Sequence, residues 1–124
     1  MSLFERIGGL DVLQTVVKKF YKLVYVDDLV GHYFQNLDME NMIDHQIRFL
    51  RHALGDDVGY TGKGIEKAHA HLSITDEEFN RVGELLISSL EYAKVGDEEK
   101  EKIMQIVVSV KHLIVKDESV WPAW

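Results

Sequence analysis

Cysteine is absent from this sequence of 124 residues. Its absence excludes disulfide bonds, iron–sulfur clusters and the thioether attachment of a cofactor through a C-x-x-C-H motif. Proline occurs once, at Pro122. Glycine rather than proline must therefore interrupt the regular elements of the chain.

Positive charge is also scarce, because 14 lysine and arginine residues stand against 21 acidic residues and give a net charge of −7. This balance, together with the lack of a basic cluster, argues against a nucleic-acid partner. No apolar run reaches the ~18 residues of a membrane span, and residues 1–9 do not resemble a signal peptide. We therefore predict a cytoplasmic protein without a membrane partner.

The hydrophobic pattern has a helical period throughout and predicts one all-α domain. The expected helices cover Ser2–Ile7, Asp11–Val26, Met39–Leu54, the stretch from Thr75 to about Val95, and Glu98–Lys116. Asp27-Asp28 should cap a turn over Leu29–Tyr33, Asp38 should cap the third helix, and Thr75-Asp76-Glu77-Glu78 forms a capping box. Gly96 should close the fourth helix and Asp97 should cap the last one. Val108 and Val115 predict a second buried face on that last helix.

Two histidines have a helical phase that directs them toward one interior space. Met42, His45, Gln46 and Phe49 follow the i, i+3, i+4, i+7 pattern of one helical face. After the glycine-rich stretch Gly55–Gly64, a short helix from Ile65 would direct His69 inward. His71 would then point nearly the opposite way.

Three interpretations of His45 and His69 are open. Spacing alone favours two buried imidazoles that are satisfied by backbone carbonyls. A metal held only by side chains fits poorly, since zinc sites need three or four clustered ligands. A haem needs one axial histidine and tolerates a second one.

In order and spacing, several short motifs resemble a group I truncated haemoglobin, a microbial globin that folds as a two-over-two helical sandwich around a b-type haem. They are Leu3-Phe4-Glu5-Arg6-Ile7-Gly8-Gly9, Phe20-Tyr21, His32-Tyr33-Phe34, Asp38-Met39, His45-Gln46, Phe49, Tyr60-Thr61-Gly62 and Ala68-His69. The resemblance covers roughly Leu3–Val115. It implies a truncated globin domain over residues 1–116 and a C-terminal tail over 117–124.

The resemblance also implies roles for individual residues. His69 would be the proximal iron ligand, and Tyr21 and Gln46 would donate hydrogen bonds to a bound gas. Phe34, Met42 and Phe49 would form apolar walls around the haem. For Tyr21 and Phe34 the plainer alternative is an ordinary core aromatic residue.

Two further histidines are assigned only as pairs of alternatives. His45 either coordinates the iron when no gas is bound or lies solvated at the pocket edge. His112 either forms a covalent bond to a haem vinyl carbon or is a surface histidine.

Two positions depart from the family pattern. Met42 stands where many members have a polar or smaller residue, and Gly55-Asp56 replaces the usual Gly-Gly.

Three functions remain open on this basis. The first is reversible binding of oxygen, nitric oxide or carbon monoxide by a monomeric carrier or sensor. The second is an enzyme, either a nitric oxide dioxygenase that forms nitrate or a peroxidase-like protein. It would depend on an external reductase, because the chain encodes no flavin or nicotinamide domain. The third is electron transfer, if His45 and His69 both bind iron tightly. The role of the tail Trp121-Pro122-Ala123-Trp124 is open.

Overall fold

A computed structural model describes residues 2–55, 74–109 and 111 of the chain. The helices are α1 (Leu3–Arg6), α2 (Gly9–Tyr25), α3 (Met39–Ala53), α4 (Asp76–Tyr92) and α5 (Asp97–Ser109), with a 3₁₀ turn at Gly31–Phe34. The all-helical prediction is therefore confirmed for the described segments. None of these helices combines the length and the apolar composition that a membrane span needs.

Helix α2 lies at the centre of the molecule and packs against α1, α3, α4 and the 3₁₀ turn. Its buried residues recur at helical spacing, so that one broad face of α2 enters the core. They are Leu13, Val16, Val17, Phe20, Tyr21 and Val24. The neighbouring helices complete this core with Phe49 and Leu50 from α3 and with Leu85, Leu86 and Leu90 from α4.

Local side-chain caps fix the starts of three helices, and the sequence predicts two of these caps, at Asp38 and at Thr75. The Asp38 carboxylate accepts hydrogen bonds from the backbone N–H groups of Glu40 and Asn41. The hydroxyl of Thr75 and the carboxylate of Glu78 form the reciprocal bonds of a capping box at α4. Ser2 forms a second capping box, with Glu5, at α1. These caps satisfy backbone donors that have no partner within the first helical turn.

Helix α2 begins at Gly9, two residues before the predicted start at Asp11. The double glycine that precedes Leu10 explains this difference. Gly8 and Gly9 have φ angles of 117° and 75°, which side chains other than glycine rarely adopt. A Cβ atom on Gly8 would also lie 2.4 Å from Cγ2 of Val12. The sharp reversal is therefore completed at Gly8 and Gly9, and the helix starts immediately.

The predicted end of the fourth helix is wrong. Helix α4 ends at Tyr92, and the chain adopts the left-handed conformation at Lys94 (φ 62°) rather than stopping at Gly96. The N–H groups of Lys94 and Val95 donate to the carbonyls of Glu91 and Leu90, both at 3.0 Å. This is the Schellman closure of a helix, in which a buried apolar residue follows the left-handed position. Burial of Val95 favours this closure two residues ahead of the glycine.

Two expectations for the last helix are also wrong. Asp97 is the first residue of α5 rather than its cap. Val108 is 60 % exposed, so the described part of α5 is not buried on two sides there. Ile103 is buried and Ile106 and Val107 are half-buried, so α5 contacts the core through the single face that these three residues form.

The connection after α2 is held by Asp27, as predicted, and exposed Asp28 is not needed for it. One Asp27 carboxylate oxygen accepts from the backbone N–H groups of Leu29 and Val30, at 3.1 and 3.2 Å. The other oxygen accepts from Nε and Nη2 of Arg81 on α4, at 2.8 and 2.7 Å. The hydrogen bond from Arg81 is the main cause that lowers the pKa of Asp27. The turn that leads to Phe34 is thus fixed to both α2 and α4.

Candidate functional site

Tyr21 is the polar residue of α2 that enters the core, with 4 % of its surface exposed. Its ring contacts Phe20 and Phe34 edge-to-face, with centroid distances of 5.1 and 6.0 Å. Its hydroxyl makes no hydrogen bond to any of the described residues. Burial raises the pKa of Tyr21 well above its ordinary value, so the hydroxyl stays protonated and can donate. The Tyr21 hydroxyl is therefore available to donate a hydrogen bond to a group that enters the site.

Helix α3 presents the second wall of the candidate site. Phe49 is buried, and Met42 and Gln46 are half-buried on the same face. His45, which the sequence pattern directs inward, is exposed at the edge of this face. The helical geometry accounts for the difference, since His45 is rotated by about 60° from Met42 around the helix axis.

Phe34 provides a third wall from the 3₁₀ turn. It is half-buried and packs with Met42 against the core cluster that contains Tyr21 and Phe49. A cofactor pocket needs mostly apolar walls with a small number of polar groups that are aimed inward. Tyr21 and Gln46 are the polar residues on these walls, and both carry hydrogen-bond donors. This composition fits the gas-binding side of a haem.

Several predicted site residues lie outside the described residues. They are His69, His112, the Tyr60-Thr61-Gly62 motif and Asp56, as well as the tail 117–124. Gly55 is described and has a φ angle of 98°, which a glycine adopts without strain. The described residues therefore bring together Tyr21, Phe34, Met42 and Phe49, with Gln46 on the same face of α3.

A hydrogen bond near the site was not predicted from the sequence. The hydroxyl of Tyr33, the neighbour of Phe34, donates to Oε1 of Glu78 at 2.8 Å. In the sequence, the capping box marks Glu78 only as part of the start of α4, and Tyr33 is only a polar member of an aromatic pair. Their pairing spans 45 positions of the chain and depends on the tertiary fold.

An open groove of about 470 Å³ lies at a different place in the molecule. It runs between the start of α1, the end of α3 and the second half of α5, where Leu3, Leu54 and Ile106 contribute apolar surface. None of the described site residues lines this groove. We therefore assign it no part in the site around Tyr21.

Comparison with known proteins gives consistent matches over most of the chain. A family model described as "Bacterial-like globin" matches residues 2–116. A group 1 truncated hemoglobin from Tetrahymena thermophila is 35% identical over 97 residues, which are 78% of this chain and 80% of that protein. A second one, from a Synechocystis species, is 33% identical over 101 residues, and the match covers 82% of that protein.

Solved structures agree with these matches. The Fe(III) form of a truncated hemoglobin from Tetrahymena pyriformis superposes with a TM-score of 0.86 at 27% identity, covering 93% of this chain and 98% of the other. A 2/2 hemoglobin from a Synechococcus species, in the cyanomet state and with covalently attached heme, gives a TM-score of 0.84 at 32% identity. That match covers 90% of this chain and 94% of the other.

Proposed function

This chain belongs to the bacterial-like globins, and among them to the group 1 truncated haemoglobins with their all-α two-over-two fold; on that premise we propose that it binds a diatomic gas reversibly at a b-type haem. Oxygen is the first candidate ligand, with nitric oxide and carbon monoxide as further ones. The observation that carries the proposal is Tyr21, a buried residue whose protonated hydroxyl has no hydrogen-bond partner among the described residues. A bound gas would supply the missing acceptor.

The site residues have three different roles in this proposal. His69 would hold the iron through a neutral imidazole nitrogen, and its other ring nitrogen would donate to an acceptor that fixes the ring orientation. When haem is bound, its iron supplies the position at which the gas is taken up. Tyr21 and Gln46 donate hydrogen bonds to a gas that carries partial negative charge. Phe34, Met42 and Phe49 exclude water from this position and so protect the reduced state.

Absorption spectroscopy tests the proposal directly. The purified chain is mixed with one equivalent of haemin, reduced, and then exposed to carbon monoxide. We expect a bound-haem spectrum that changes on reduction and again with carbon monoxide. A chain that takes up no haemin would overturn the proposal. Nitrate formation from nitric oxide and oxygen, measured with a supplied reductase, would instead favour the enzymatic alternative.

Loss of either distal donor should accelerate oxygen release. Hydrogen bonds of this charge-assisted kind contribute ~1.5–3 kcal/mol, which corresponds to roughly 10- to 100-fold in the dissociation rate. Stopped-flow measurement of oxygen dissociation from Tyr21→Phe and Gln46→Leu tests this expectation. The control is Tyr25→Phe, because Tyr25 lies on the same helix but is exposed. Rates within about twofold of the wild type in both site variants would mean that neither donor reaches the ligand.

A covalent bond between His112 and a haem vinyl carbon is a finer part of the proposal. Its support is the covalently attached heme of the similar Synechococcus protein. After reduction, acid–butanone extraction should leave the haem on the wild-type chain and remove it from His112→Ala. Free extraction of haem from both proteins would show that the bond does not form. Cytoplasmic location and a monomeric state stay predictions from the sequence.

A further inference from the structure

Glu78 is an unusual capping-box residue because only 9 % of its surface is exposed. Its Oε1 atom accepts the backbone N–H of Thr75 at 2.9 Å, as in other capping boxes. The same atom accepts the Tyr33 hydroxyl at 2.8 Å. A carboxylate so far removed from water requires such partners. Glu78 therefore joins the start of α4 to the 3₁₀ turn.

Tyr33 lies directly before Phe34 in that turn of four residues. A single 3₁₀ turn has poor internal hydrogen-bond geometry, so its orientation depends on contacts with other elements. The phenol of Tyr33 is a contact of this kind, because its hydroxyl donates to Glu78 on α4 at 2.8 Å. Burial and then the bond to Glu78 raise the pKa of Tyr33 to about 12. The hydroxyl thus stays protonated and continues to donate.

Two residues of α4 hold this segment from one side. Glu78 binds Tyr33, and Arg81, three positions later on the same helical face, binds Asp27 at the start of the segment. At the end of the same segment, the ring of Phe34 contacts the ring of Tyr21 edge-to-face, with a centroid distance of 6.0 Å. Glu78 is therefore linked to Tyr21 by the hydrogen bond to Tyr33, by the peptide bond between Tyr33 and Phe34, and by the ring contact of Phe34 with Tyr21.

We propose that Tyr33 and Glu78 are positioning residues that set the direction of the Tyr21 hydroxyl toward a bound gas. The inference rests on the proposed function, since it assumes that Tyr21 donates to the gas. Neither Tyr33 nor Glu78 has to touch the ligand. Loss of their hydrogen bond loosens the 3₁₀ turn, although Asp27 and Arg81 still hold the start of the segment. The Phe34 ring can then shift, which lets Tyr21 rotate away from its best hydrogen-bond geometry.

The test uses the haem-loaded protein and two measurements, the C–O stretching frequency of its carbon monoxide complex and the oxygen dissociation rate. Tyr33→Phe keeps the ring and removes only the hydroxyl. We expect the frequency to move toward that of Tyr21→Phe, and the dissociation rate to rise about threefold to tenfold, because the bond to the gas is weakened rather than lost. Combined with Tyr21→Phe, Tyr33→Phe should cause no further change.

Two variants of Glu78 separate positioning from general loss of structure. Glu78→Gln retains an amide oxygen that can accept both hydrogen bonds, so it should behave like the wild type. Glu78→Ala should behave like Tyr33→Phe. A distant control is Glu99→Gln, which alters a pair with Arg6 that joins α1 to α5. It should leave both measurements unchanged.

The possible outcomes distinguish this inference from the proposed function. If Tyr21→Phe alters both measurements and Tyr33→Phe alters neither, the positioning role is wrong and the proposed function stands. An effect of Tyr33→Phe that persists in the Tyr21→Phe background also overturns it, because the effect then bypasses Tyr21. If Tyr21→Phe itself has no effect, both the distal role of Tyr21 and its positioning are wrong.

Discussion

Replacing His69 with alanine should abolish stable haem binding, whereas the same change at His71 should leave the spectrum of the haem-loaded protein intact. Both residues lie outside the described part of the structure, so the expectation rests on helical phase and family membership. In a helix from Ile65, residues 69 and 71 are separated by about 200° around the axis. Only one of them can face the iron.

Haemin titration with absorption spectroscopy measures the difference. His71→Ala is the matched control, because it removes an imidazole two residues away. Added imidazole should partly restore the spectrum of His69→Ala, since a free imidazole can enter the space left by the side chain and bind the iron. That recovery would distinguish a lost ligand from a misfolded chain. Equal behaviour of the two variants would show that the assumed phase is wrong.

Local features of the fold could be predicted from the sequence, because their causes lie within a few residues. The caps at Asp38 and at Thr75–Glu78 involve partners no more than three positions apart. The turn at Asp27 likewise depends on Leu29 and Val30. Such contacts need no tertiary information, and the structure places them where the pattern indicates.

The features that could not be predicted depend on packing between distant segments. Helix α4 ends at Tyr92 and closes through the left-handed residue Lys94, rather than at Gly96, because Val95 enters the core. The preference of glycine for turns does not reveal this packing. The exposure of Val108 likewise depends on which surfaces cover α5. The bond from Tyr33 to Glu78 joins two elements that only the fold brings together.

The candidate site likewise contains residues whose positions the sequence predicts and one whose position it does not. The helical pattern correctly places Phe49 in the core and Met42 and Gln46 near it. The same pattern does not decide the orientation of His45, because a residue at the margin of a helical stripe faces either the interior or solvent, depending on the neighbouring elements. The role of His45 therefore has to be decided by ligand binding.

We propose that His45 makes this a six-coordinate, switchable haem protein. His45 is exposed on α3, one residue before half-buried Gln46. We expect it to reach the iron by an inward swing of its side chain or a modest rotation of α3. A gas then competes with His45, and the apparent dissociation constant equals the intrinsic value divided by the open fraction. If His45 occupies the iron ~99% of the time, affinity falls about 100-fold, near 2.7 kcal/mol.

Carbon monoxide binding to the reduced protein should therefore show a rate that reaches a plateau with increasing gas concentration. At the plateau, dissociation of His45 limits the reaction, so the gas concentration no longer matters. In His45→Leu the plateau should vanish and binding should become second order and faster. His52→Leu is the matched control, because His52 is an exposed histidine on the same helix. Simple second-order binding at one rate in all three proteins would mean that His45 never occupies the iron. In that case the full hydrogen bonding of Tyr21 and Gln46 would be available to the gas.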